Sequence, residues 1–269
     1  MTFIVIGAVL ILAAVGMIFG SRAQKRKLGN IKMTQTSTAA ELAELAAAVA
    51  KDIGAGSFNQ VTEVKGTIEC ADPLVSELSQ TRCVYYTMSV NREYEETYWE
   101  NDDKGNRVQR TRRGSESVAS NTRHVSFQVR DATGAIEVDP DGASIVDEKV
   151  MSDFKPGDMQ GPGFRIGSFN FNPGGFSLSG GRRTLGYRFE ESAVPVGRAI
   201  YVLGEAVDSN GRLHVQKPEK KGSSFIVSLK TEEQLVKGAT SSAKGLVIAA
   251  VIAAVLGAAG IVLGALKVI

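Results

Sequence analysis

"HVSFQVRDATGAIEVDP", residues 124–140, reads as a strand, a turn and a returning strand. Val125, Phe127 and Val129 alternate with other residues, DATG supplies the turn, and Ile136 and Val138 alternate back. Side chains along a strand point to opposite faces in turn, so a period of two marks a half-buried hairpin. A second hairpin is expected in "RAIYVLGEAVDSNGRLHVQ", residues 198–216, turning at SNG. Upstream, "VTEVKGTIE" (61–69) alternates at period two. "RCVYYTMSV" (82–90) is rich in β-branched and aromatic residues and runs on into "NREYEETYWE". "SSFIVSLK" (223–230) supplies a further strand. Between the hairpins, "ASIVDEKVMSDF" (143–154) reads as a short helix. Residues 156–183, dense in Gly, Ser and Asn, read as a mobile loop. A strand, a hairpin, a short helix and a hairpin follow one another in this order in an OB-type barrel, which covers most of its own edges. The expected fold is therefore mainly β, with a small OB-like β-barrel domain over residues 57–230. An open β-sandwich is the alternative that the same strand spacing allows.

The ends of the chain have a different chemistry. Residues 2–20 and 245–266 carry no charged side chain. A helix needs about 20 apolar residues to cross a hydrocarbon core. Both runs are expected to be transmembrane helices. The first reads as an uncleaved anchor rather than a signal peptide, because no Lys or Arg precedes it. Directly after it comes "SRAQKRK", with Arg22, Lys25, Arg26 and Lys27; Lys237 and Lys244 precede the second run and Lys267 follows it. The positive-inside rule then puts residues 21–244 in the cytoplasm and both termini outside, a two-pass arrangement. Gly16 and Gly20, and Gly260 and Gly264, carry the four-residue spacing that lets helix backbones approach. Through them the two ends of one chain could pair, or two chains could associate as a homo-oligomer.

Residues 21–56 form a basic juxtamembrane segment followed by a second helix signal. In "TSTAAELAELAAAVAKDIGAG", Thr38 with Glu41 three residues on is a capping box. Leu42, Leu45, Ala46, Val49 and Ile53 recur at helical spacing, and Gly54 suits the position after the end. An amphipathic helix over 38–53 is expected to pack on the β domain. Residues 231–244 are read as a linker.

The net charge is +2, which does not call for a polyanionic partner. "RVQRTRRG" nevertheless gathers Arg107, Arg110, Arg112 and Arg113, near Tyr94, Tyr98 and Trp99. OB barrels hold single strands with basic grooves and stacked aromatics. The preceding arm, "EYEETYWENDD", is acidic. If DKGN is a hairpin tip at Lys104 and Gly105, Asp102 falls opposite Arg107 and Glu96 opposite Arg113, so the arms neutralise one another. That reading is preferred to anionic lipid or polyanion binding through Arg107–Arg113, and nucleic acid is not expected as a partner.

The only cysteines are Cys70 and Cys83, and the only histidines His124 and His214. Zinc sites use closely spaced Cys and His pairs, and none stands here. A nucleophilic thiol needs a base beside it. The loop "ADPLVSELSQTR" could bring Cys70 and Cys83 together as a disulfide, but buried free thiols are the preferred reading for a reducing compartment. No P-loop, dinucleotide fingerprint, triad or paired-carboxylate spacing stands out. The expectation is no catalytic residue, no metal and no cofactor.

"GTIECADPLVSELSQTRCVYYTMSV", "FQVRDATGAIEVDPDGA" and "VPVGRAIYVLGEA" resemble the GIDE-type proteins. The resemblance covers about residues 36–266. It implies a domain set "beside a membrane" between two transmembrane helices. In the family's mitochondrial outer-membrane members, which are ubiquitin ligases, a RING finger follows the second helix. Four scattered Cys and His residues do not supply the ligands of a RING. The expected function is therefore a non-enzymatic, membrane-anchored binding or scaffolding module with a protein partner, and ubiquitin ligation is the alternative that the resemblance implies.

Overall fold

The structure is a computed structural model that describes residues 2–102, 104–157, 164–171, 182–209 and 211–266. Much of the glycine-rich stretch (158–163 and 172–181), Asn210 of the SNG turn and Lys267 lie outside the described residues. The chain is mixed α/β: two long apolar terminal helices, a five-stranded β-barrel and a half-barrel. The expectation of a mainly β chain is corrected by the helices, which run well past the apolar segments. Helix α1 spans Thr2–Met33 and helix α3 spans Glu232–Ala265, 32 and 34 residues. The basic segment after residue 20 simply continues α1, because Gln, Lys, Arg and Leu are good helix formers. The expected linker at 231–244 is the start of α3. Thr231 accepts the N–H of Gln234, and the Gln234 side chain accepts the N–H of Thr231, so the helix begins at a capping box rather than at the membrane edge.

Two compact units make up the chain, Met1–Lys65 with Tyr201–Ile269, and Gly66–Ile200. In the first, α2 (Ala39–Asp52) has the expected start and stop. Thr38 Oγ1 accepts the Glu41 N–H, a Glu41 carboxylate oxygen accepts the Thr38 N–H, and Gly54 takes φ +119° just past the end. Ala39, Leu42 and Ala46 are buried, while Leu45 and Ile53 face out, so the packed stripe is narrower than expected. Strand β12 (Ala199–Ser209) pairs antiparallel with β13 (Arg212–Gln216) and with β14 (Ile226–Ser228). Ile31 near the end of α1 is buried with Tyr201, Leu203 and Ile226.

In the second unit, β1 (Asn59–Glu69), which enters from the first, pairs through Thr67–Glu69 with β5 (Phe127–Arg130). Strand β5 pairs in turn with β6 (Ala135–Val138), the expected DATG hairpin. The half-barrel is a separate five-stranded sheet. Strands β2 (Leu74–Val75) and β4 (Arg107–His124) pair with β3 (Arg82–Asn101), β3 with β11 (Arg182–Pro195), and β11 with β8 (Glu148–Pro156). Its core contains Leu78, Cys83, Tyr86, Met88, Val90, Tyr187 and Phe189. The short helix expected at 143–154 is instead β7 (Ser144–Val146) followed by β8. The long β11 gives Glu148–Pro156 a ladder of partners, and Val150 and Met151 pack on the half-barrel core, so tertiary pairing decides the conformation there. The expected loop at 156–183 contains a small hairpin, β9 (Phe164–Ile166) with β10 (Phe169–Phe171). Phe171 is buried against Tyr187 and Phe189, and apolar anchoring of this kind explains why the stretch is not all loop.

Candidate functional site

The arginines singled out in the sequence lie on β4, in a hairpin that β3 and β4 extend beyond the buried core. The tip closes on Asp102. Its Oδ1 accepts the N–H groups of Lys104 (2.9 Å) and Asn106 (2.8 Å), and Gly105 takes φ +82°. These hydrogen bonds, Asn106 first, hold the Asp102 carboxyl below the usual carboxylate range. Because Asp102 serves as a turn residue, it does not face Arg107. Asn101 faces Arg107, Glu96 faces Arg112 and Glu95 faces Arg113, a one-residue correction to the expected register. In a β ladder such a slip changes which partners meet on each face.

The corrected register still brings the opposite charges together. Glu96 lies 2.7 Å from Arg112 and 3.2 Å from Arg182, and those two hydrogen bonds lower its pKa. Glu95 lies 3.7 Å from Arg113 and 3.6 Å from Arg183; Glu100 lies 3.3 Å from Arg110. Arg107 stacks on Trp99, its guanidinium carbon 5.7 Å from the ring centre, and Arg112 on Tyr98 at 5.5 Å. Trp99 is 60% exposed and Tyr98 is 38% exposed. The arm therefore presents aromatic rings with stacked guanidinium groups. Three of its four arginines have carboxylate partners on β3. At the base of the arm, Arg182 and Arg92 flank the Tyr94 ring at 4.7 and 5.5 Å. Arg92 is buried, 2.9 Å from Glu116 but without the alignment of a hydrogen bond, and the buried Thr184 hydroxyl also lacks a hydrogen-bond partner.

Cys70 and Cys83 are both free thiols in different settings. Cys83 is fully buried in the half-barrel core. Burial, with the Glu191 carboxylate nearby, pushes its pKa up to about 11 against a smaller opposing hydrogen bond from the Tyr85 backbone. Cys70 is only half-buried, a correction to the expectation of two core thiols. It lines an open cleft of about 520 Å³ with Glu69, Asp72, Ser126 and Glu137, and its Sγ lies 3.7 Å from the Ser126 carbonyl. Glu69 is paired with Arg130 at 2.7 Å. His124 is exposed, 4.0 Å from Asp141, and the ring of His214 lies between Arg212 O and Gln216 Oε1. Among the described residues, no three His, Cys, Asp or Glu side chains are grouped for a metal ion.

Two buried carboxylates were not marked by any sequence motif. Glu191 on β11 accepts Ser76 Oγ, Leu78 N–H and both the N–H and Oγ of Ser79, at 2.5–3.0 Å. It fixes the SELS turn between β2 and β3. The serines and the buried glutamate are more than a hundred residues apart, so no local spacing could have revealed them. In the other unit, Glu63 is almost fully buried and accepts Tyr201 OH at 2.8 Å, the Thr36 hydroxyl and Lys65 Nζ at 2.9 Å. Lys65 also reaches Glu232, the first residue of α3, at 2.9 Å. Burial opposes the charge on Lys65, but these two carboxylates outweigh it and the pKa rises. Burial first, then Glu63, raises that of Tyr201. The arrangement links β1, β12 and the start of the second apolar helix through charge-assisted hydrogen bonds.

Of the glycines expected to bring helices together, Gly260 and Gly264 lie against α1 at Phe3, Ile4 and Gly7, whereas Gly16 faces open space and Gly20 only approaches Leu246. Helices α1 and α3 pack antiparallel on these two glycines of α3 and on further small residues. A Cβ on Gly7 would lie 2.6 Å from Gly257 O, and one on Gly264 would lie 2.8 Å from Ile4. Ser21 Oγ donates to Ala243 O at 3.3 Å. Gly7, Ala14 and Ser21 repeat every seven residues, as do Ala243, Ala250 and Gly257, and all six are buried. Both helices are long and apolar enough to cross a membrane, and few of their side chains are buried. Leu12, Phe19, Val251 and Val255 are among the large apolar groups left exposed.

No curated protein and no solved structure matches the chain. Residues 95–264, more than half of it, match the family GIDE, described as E3 ubiquitin ligase. They include the arginine arm, the half-barrel strand β11, the strands β12 to β14 and nearly all of α3. On that match, the chain belongs to the GIDE family.

Proposed function

We propose that this GIDE-family chain is a two-pass integral membrane protein and a non-enzymatic binding or scaffolding module. Its β domain is read as OB-like, because β1, the β5–β6 hairpin and the β12–β13 hairpin follow in the chain order of such barrels. The observation that carries the binding reading is the exposed Trp99–Tyr98 surface of the β3–β4 arm. Tyr, Trp and Arg are enriched at protein interfaces, where large rings and stacked guanidinium groups supply most of the contact energy. Arg110, Arg112 and Arg113 have carboxylate partners, which favours a protein partner over a polyanion. The ligase description is the family's. Here Cys70 follows β1, Cys83 lies in β3, His124 ends β4 and His214 lies in β13. That scatter supports a module without zinc-dependent ligase chemistry.

The test is a photo-crosslinker at Gln109, opposite Trp99 on β4, in cells expressing the full chain. We expect a discrete crosslinked protein that is lost in Trp99→Ser and kept in Arg110→Gln. A pattern unchanged by Trp99→Ser would overturn the interface. Bound zinc, together with discharge of a ubiquitin-charged conjugating enzyme, would replace this reading with the ligase one.

A further inference from the structure

Two basic segments far apart in sequence are fastened together in the unit that holds the apolar helices. Past Gly20, α1 continues with Arg22, Lys25, Arg26 and Lys27, and no acidic residue occurs before its end at Met33. Residues 217–222, KPEKKG, join β13 to β14 and expose Lys220 and Lys221 beside a single acid, Glu219. Asn30 Nδ2 donates to Gly222 O at 2.9 Å and to Ser224 Oγ at 3.0 Å. A Cβ on Gly222 would lie 3.6 Å from Arg26 Nη1, so the loop rests against that guanidinium. The burial of Ile31 with Tyr201, Leu203 and Ile226 fixes the basic part of α1 in place. Like charges held close repel one another, and a surface that gathers them is stabilised by an anion.

The depth of this surface indicates which anion. At 1.5 Å per residue, Arg22 and Lys25 lie about 3 and 8 Å beyond Gly20 along α1, and Arg26 and Lys27 about 9–11 Å, from where their long side chains can reach back towards the bilayer. The headgroup layer occupies about 5–8 Å on each side of the hydrocarbon. Sidedness alone would account for basic residues on α1, since flanking charge sets orientation. It gives no reason for a lysine loop from β13–β14 to be tied to them by Asn30. We propose that Arg22, Lys25, Arg26, Lys27, Lys220 and Lys221 form a joint binding surface for anionic phospholipid headgroups of the leaflet that α1 leaves. This rests on the reading of α1 and α3 as membrane spans.

The experiment is native mass spectrometry of the detergent-solubilised full chain, titrated with phosphatidylglycerol, phosphatidylcholine or inorganic phosphate. Phosphatidylglycerol should be retained in preference to phosphatidylcholine, and millimolar phosphate should not displace it. A basic residue near an anionic surface contributes roughly fivefold in affinity, so Lys220→Gln with Lys221→Gln should weaken retention about twenty-five-fold. Asn30→Ala, which frees the loop, should weaken it in the same direction, and Arg107→Gln with Arg110→Gln on the β3–β4 arm should leave it unchanged. Equal retention of the two lipids, or full retention by the lysine double variant, would overturn the joint surface. Displacement by phosphate would assign the site to a soluble anion instead. Extraction of membranes with alkaline carbonate separates the two readings. Release of the chain would refute the spans, whereas a retained chain with no lipid preference would refute only the headgroup site.

Discussion

At the scale of single residues, the two thiols differ in a way that the sequence did not reveal. Cys70 and Cys83 both stand at strand ends in similar local settings, and which one is buried depends on packing with residues such as Tyr187 and Phe189. Cys83 has both burial and the Glu191 charge against its thiolate, so near pH 8 only about one molecule in a thousand is ionised there. Cys70 opens onto a cleft. The folded protein should therefore show one fast-reacting thiol towards a disulfide reagent at pH 8, and a second only in denaturant. Cys70→Ser should abolish the fast reaction. Two fast thiols would contradict the burial of Cys83, and the absence of any free thiol in non-reduced protein would establish the Cys70–Cys83 disulfide instead.

At the scale of elements, local rules worked where the controlling interactions were local. The Thr38–Glu41 capping box and the DATG turn are made within a few residues, and both were legible. Segment 143–154 was not, because its strand state depends on β11, some forty residues later. The arginine arm was legible in its charge pairing but one residue out in register, since Asp102 serves the turn. The helix contact had legible signals of two periods. The four-residue spacing of Gly260 and Gly264 lies at the contact while Gly16 does not, and on α1 the seven-residue repeat of Gly7, Ala14 and Ser21 supplies the buried stripe. A seven-residue repeat keeps one stripe facing a partner helix over several turns. Gly257→Leu should force a side chain into Gly7 and Leu10, an overpacking that costs about 1–3 kcal/mol. Gly16→Leu meets nothing within 4 Å and should be silent. Thermal unfolding of the detergent-solubilised chain would compare them, and equal shifts for the two variants would rule out this zipper.

At the scale of the whole molecule, the antiparallel pairing constrains topology independently of charge counting. Ser21 meets Ala243 at one end of the helix pair, and Gly264 meets Ile4 at the other. If the pair spans a bilayer, residues 21–244 begin and end on one side and both termini lie on the opposite side. The flanking charges choose between the two remaining orientations. Arg22, Lys25, Arg26 and Lys27 stand at the Ser21 end, so the charge rule, applied to the proposed spans, predicts that this end faces the cytoplasm. The expectation can be read in a Cys70→Ser background with a membrane-impermeant maleimide, because Cys83 is buried. Thr2→Cys should label in intact cells. Lys104→Cys, at the tip of the arm, should label only after the membrane is permeabilised. The reverse pattern would place the β domain outside and refute the charge argument while leaving the helix pair intact. Labelling of Thr2→Cys and Leu266→Cys from opposite sides would refute the pair itself, since antiparallel helices in register cannot place those two positions across the membrane from each other.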